Sequence, residues 1–107
     1  MTMSKKNPIF REDVIKVLKT VYDPEIPVDI WELGLIYDIS IDEENNIKIA
    51  MTLTAPNCPA AQSLPLQVQE RVKQISGVGD VDVEVVWDPP WHPSMMSEVA
   101  KLQLGYM

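Results

Sequence analysis

Between Phe10 and Val21 the apolar positions Val14, Ile15, Leu18 and Val21 recur at helical spacing, with Arg11, Glu12, Lys16 and Lys19 between them. That spacing draws one apolar stripe along a helix. The helix is expected to stop at Tyr22 or Asp23, because Pro24 pushes the residue before it out of the helical region. Asp23 to Asp29 then reads as a stiff, proline-punctuated loop. Further on the pattern alternates: Tyr37, Ile39 and Ile41 oppose Asp38, Ser40 and Asp42, and Ile47, Ile49, Met51 and Leu53 oppose Lys48, Ala50, Thr52 and Thr54. Two strands follow from this, joined as a β-hairpin by the polar run Glu43-Glu44-Asn45-Asn46.

Ala61, Leu64, Val68, Val72 and Ile75 predict a second helix over Pro59–Ile75, tightened or kinked near Pro65 and stopped by Gly77. Val81, Val83 and Val85 alternate with Asp82, Glu84 and Val86 in a third strand, and a last helix is expected from Ser97 to Leu104 with Gly105 as its terminator. The order is α-β-β-α-β-α. An apolar stripe on a helix and an apolar face on a sheet must bury each other, so the fold class is a two-layer α+β domain, with helices on one face of a small three-stranded sheet. A parallel β-α-β portion would cross over right-handed. Residues 1–8 read as a loose tail and residues 9–107 as a single domain, since no linker-like stretch divides them.

Composition narrows the function classes. The chain has 107 residues, 46% of them hydrophobic, so a core can form without covalent staples. A single cysteine rules out an internal disulfide and points to a reducing, cytoplasmic setting. With 16 acidic against 9 basic side chains the net charge is −7, which repels phosphate backbones and argues against a nucleic-acid partner. The apolar stretch Leu33–Ile36 is far too short to cross a bilayer, so no membrane association is expected.

Chemistry concentrates at Cys58. It follows the second strand and precedes Pro59, and if Pro59 takes the first helical position, Cys58 is the helix N-cap. Unpaired N–H groups and the helix dipole would favour its thiolate there, making it a nucleophile or a metal ligand. The alternative is a small buried hydrophobe. One cysteine and one histidine cannot fill a metal site, so any iron or iron–sulfur cluster at Cys58 would be transient or shared, with a client thiol or across a homodimer. A Cys58–His92 hydrolase pair lacks any recognisable motif. Asp23, Glu25 and Asp29 are either turn formers or carboxylates facing Cys58, where they would oppose the thiolate and offer hard ligands to iron. Thr52 and Thr54 are exposed strand residues or hydroxyl donors beside Cys58. Trp87 and Trp91 finish the core or present a partner surface.

Taken together, Asp23-Pro24-Glu25, Asp29-Ile30-Trp31-Glu32-Leu33-Gly34-Leu35-Ile36-Tyr37, Met51-Thr52-Leu53-Thr54 with Cys58-Pro59, and Trp87-Asp88-Pro89-Pro90-Trp91 followed by Met96-Ser97-Glu98 form an ordered set. A chain with these motifs resembles the SufT- and PaaD-like iron–sulfur cluster assembly domains, which include eukaryotic cytosolic iron–sulfur targeting factors. The resemblance implies the α/β fold, a non-enzymatic role in assembling or delivering clusters to client apo-proteins, and contacts with the assembly machinery. It also implies that the reactive cysteine is Cys58 and the acidic loop Asp23 and Glu25. The other function in view is a thiol-dependent enzyme, or an auxiliary subunit of a metabolic complex such as one for aromatic-acid degradation. The chain lacks the cysteine-rich C-terminal extension of PaaD proper and a G-x-x-x-x-G-K loop, so neither that role nor a fused ATPase is implied.

Overall fold

The computed structural model describes residues 8–23, 26–54 and 63–105. Helix α1 spans Arg11–Leu18 and opens where the Asp13 carboxylate accepts a hydrogen bond from the Phe10 N–H at 2.9 Å. It ends earlier than the proline rule alone implies. The Thr20 hydroxyl and N–H both bond to the Val17 carbonyl, the Val21 N–H bonds to Leu18, and Tyr22 leaves the helix to form an antiparallel bridge with Asp29. Val14, Leu18 and Val21 are nonetheless the buried stripe that the spacing requires.

A four-residue helix, α2 (Ile30–Leu33), follows the bridge. Strands β1 (Ile36–Ile41) and β2 (Ile47–Met51) pair antiparallel around a turn in which Asn45 takes positive φ, and β3 (Val81–Val85) pairs parallel to β2. The sheet order is β1-β2-β3. Helix α3 spans Leu64–Val72 and connects the parallel pair, and α4 spans Glu98–Leu104. The three-stranded mixed sheet and its helices give the α+β order read from the sequence.

Side-chain alternation assigns the two sheet faces. Ile47, Ile49, Met51 and Val81 are buried, while Lys48, Asp82 and Glu84 are exposed. The apolar face meets Val14 and Leu18 of α1 and Leu64, Val68 and Val72 of α3 in one cluster. The i, i+4, i+8 spacing on α3 is what lets one helix face fill that layer. Helix α3 ends at Val72, short of the expected Ile75, and within the described residues its first turn follows Ser63, while Cys58 and Pro59 lie outside them. Pro65 sits in that first turn, where its missing N–H breaks no helical bond. The final helix is as expected: the Ser97 hydroxyl accepts from the Ala100 N–H, and Gly105 closes the helix in the left-handed conformation.

Candidate functional site

The short segment from Asp29 to Leu35 organises the site. Asp29 caps α2 by accepting the Glu32 N–H at 3.0 Å, and Gly34 ends the helix at φ 81°. Only glycine suits this position, since a Cβ would also run into the carbonyl oxygen of Met95. Burial, the largest influence, lifts the Asp29 carboxyl above its ordinary range; the bond from Glu32 opposes the shift, while the negative charge of Glu32 adds to it. Asp29 thus has a definite local duty, the capping role that turn chemistry allows.

Three further residues are tied to this segment. The Thr52 N–H donates to the Leu35 carbonyl at 2.8 Å. The Trp91 indole N–H donates to the Leu33 carbonyl at 2.7 Å, and the Ser97 N–H donates to the Glu32 carbonyl at 2.8 Å. On the near side, the Ile30 N–H bonds to the Val21 carbonyl at 2.9 Å, which pins the base of the loop carrying Asp23. Asp23 is 5% exposed, so it is a buried carboxylate and not a solvated turn residue.

Thr52 departs most from expectation. Strand alternation would turn it to the open face of the sheet, yet Met51, Thr52 and Leu53 are all buried. The end of β2 is therefore covered on both sides. The Thr52 hydroxyl is fully enclosed and, among the described residues, has no hydrogen-bond partner. A buried hydroxyl without a partner costs free energy, and such groups call for a functional or structural account. Thr54 is partly buried at the limit of the described stretch. Cys58 and Glu25 lie outside the described residues.

The two tryptophans divide between the roles left open for them. Trp91 packs on the core cluster, whereas Trp87 is 47% exposed just past β3. An open groove of about 740 Å³ lies between Ile36, Tyr37, Val86, Asp88, Pro89 and Met95. Across it the Tyr37 hydroxyl donates to the Pro89 carbonyl at 2.7 Å. Tyr37 lines this groove, a placement that strand periodicity hid by treating it as one more core position. His92 uses Nδ1 to accept the Ser94 N–H at 3.1 Å and so caps the short 3-10 turn Pro93–Met95. Among the described residues no group of three or more His, Cys, Asp or Glu side chains is placed to hold a metal ion.

A relative from Porphyromonas gingivalis named Fe-S protein maturation auxiliary factor is 45% identical over 96 residues, covering 90% of this chain and 91% of its own. The Fe-S protein maturation auxiliary factor YitW of Bacillus subtilis is 41% identical over 95 residues, covering 89% and 93%. The crystal structure of a domain of unknown function, DUF59, from Bacillus anthracis superposes with a TM-score of 0.83 at 40% identity, covering 90% of this chain and 92% of that one. The model of the family described as iron-sulfur cluster assembly protein matches residues 11–85, and the chain belongs to that family.

Proposed function

We propose that this protein is an auxiliary factor of iron–sulfur protein maturation that works through contacts with client apo-proteins and the assembly machinery, without turning over a substrate of its own. Cys58 is its functional thiol, and the cluster or iron is cargo in transit. The names of relatives that match this chain over nine-tenths of its length support the maturation role. A single thiol supports the transient character of any cluster, since clusters usually take four thiolates and the remaining ligands must come from a client, a small thiol or a second copy.

The observation that carries the reading of the site is the enclosed Thr52 hydroxyl at the end of β2, without a hydrogen-bond partner among the described residues and in the stretch that leads toward Cys58. With the buried Asp23 carboxylate it supplies polar groups where an apolar core would need none. The test is deletion of the gene, assay of several iron–sulfur enzymes, and complementation by wild type and by Cys58→Ser. Loss of activity across clients, restored by wild type and not by Cys58→Ser, is the expected result. Full rescue by Cys58→Ser would remove the thiol from the mechanism.

A further inference from the structure

The sheet has two outer edges, and they differ. On β1 the pairing with β2 slips between Ile36 and Asp38, an irregularity of the kind that twists an edge away from intruders. On β3 the ladder runs in unbroken register from Ile47↔Val81 to Met51↔Val85. The Ile47 N–H donates to Asp80 and the Val86 N–H donates to Met51, both at 2.8 Å. Alternate residues of a parallel strand serve the same neighbour, so Asp82 and Glu84 also turn their main chain to β2. The N–H and C=O groups of Val81, Val83 and Val85 consequently point outward. The Val81 carbonyl is satisfied by the Gln69 side chain at 2.9 Å. Among the described residues no hydrogen bond reaches the outward groups of Val83 or Val85.

Charge along this edge is of one sign. Asp80, Asp82 and Glu84 stand at alternate positions along β3 and the residue leading into it, Asp82 and Glu84 are exposed, and among the described residues neither is held in an ion pair. Lys48, opposite Asp82 in the β2–β3 register, is the one cation in the adjoining rows of the sheet. A second copy adding to this edge would bring like charges opposite each other, which is destabilising. The same carboxylates favour a strand that carries lysine or arginine at alternate positions. Trp87, half exposed past the end of β3, offers that strand an aromatic contact.

We propose that the outer edge of β3 is a docking strand for an extended, basic segment of a protein partner, added to the sheet through the main chain of Val83 and Val85. The proposal is independent of Cys58. Main-chain bonds of this type give affinity to strand addition, and alternate side chains give it selectivity.

The test is titration of the isotope-labelled full chain with a short synthetic peptide of alternating lysine and valine, and with its glutamate and valine counterpart. The lysine peptide should bind, slow hydrogen exchange at the Val83 and Val85 amides, and bind more weakly as salt is raised. Val83→Pro removes an outward N–H and no ladder bond, so it should keep a dispersed native spectrum and weaken the peptide about tenfold or more. Should that variant fail to fold, the exchange of Val83 and Val85 in the native chain and the weakened binding of Glu84→Lys decide the matter. Equal affinity for the two peptides, shifts confined to other surfaces, undiminished binding by folded Val83→Pro, or self-association through β3 without peptide would each overturn the proposal.

Discussion

The indole of Trp91 and the carbonyl of Leu33 lie 58 positions apart in the chain and are joined by a 2.7 Å hydrogen bond. This bond ties the proline-rich segment after β3 to the end of α2, beside the segment that also binds Thr52. Trp91→Phe keeps the ring and loses the donor, so it should lower unfolding stability by about 1 kcal/mol. Trp91→Ala also leaves a hole against the core and should cost about 3 kcal/mol, whereas Trp87→Ala should change stability by no more than about 0.5 kcal/mol. Urea unfolding of the three variants measures this, and equal losses for Trp87 and Trp91 would contradict the division.

Gly34 turns at φ 81° with the carbonyl oxygen of Met95 pressed against it. Gly34→Ala adds a methyl that is both strained by the backbone and obstructed by that oxygen. A loss of about 2 kcal/mol or more is expected, while Gly77→Ala, with positive φ but open space around it, should lose about 1 kcal/mol. Thermal melts of the pair separate backbone strain from the steric contact.

Much of the fold was legible because the core is built from periodic apolar positions. The stripes Val14–Leu18 and Leu64–Val68–Val72 and the alternation in β2 and β3 each name residues that are buried. What periodicity could not reveal was α2, which is too short to show a stripe. Its signals were chemical: an Asp29-x-x-Glu32 cap followed by Gly34. Thr52 was legible as a site candidate but not as a buried one, because alternation assigns a face and not what covers it. The end of α3 at Val72 was obscured because Ile75 continues the apolar stripe past it.

Thr52 offers a direct contrast between stability and function. Thr52→Val has nearly the same shape and removes the enclosed hydroxyl, so the variant should be more stable by about 1 kcal/mol. Client-enzyme activity restored by this variant should nevertheless fall below that restored by wild type. A more stable variant with full activity would make the hydroxyl a simple packing defect.

Asp29 sets a pH dependence whose sign is fixed by the direction of its shift. Its carboxyl titrates higher in the folded chain than in the unfolded one, so the folded state holds the proton more tightly. Ionisation therefore costs stability at neutral pH, and the cost is relieved as pH falls through the folded value toward the ordinary 3.8. Asp29→Asn keeps an N-cap acceptor and has no charge to bury. Its stability at pH 7 should equal or exceed that of wild type, with the gap closing as pH approaches 3.8. A gap that widens on acidification would reverse the assignment.

Asp23 decides whether the acidic loop takes part in the thiol chemistry or only holds the turn. Its burial already separates it from an ordinary solvated loop aspartate. If the carboxylate faces Cys58, Asp23→Asn removes a negative charge without changing shape, and the Cys58 thiol should become more acidic, raising its alkylation rate at neutral pH. Maturation activity should fall at the same time, because an amide is a poorer ligand for iron than a carboxylate. A purely structural Asp23 predicts a different pair of results: lower thermal stability and an unchanged alkylation profile. Alkylation rate against pH, melting temperature and client-enzyme rescue measured on the same preparation therefore separate the two roles. A faster thiol together with weaker rescue places Asp23 in the site, and an unaltered thiol with a lowered melting temperature places it in the scaffold.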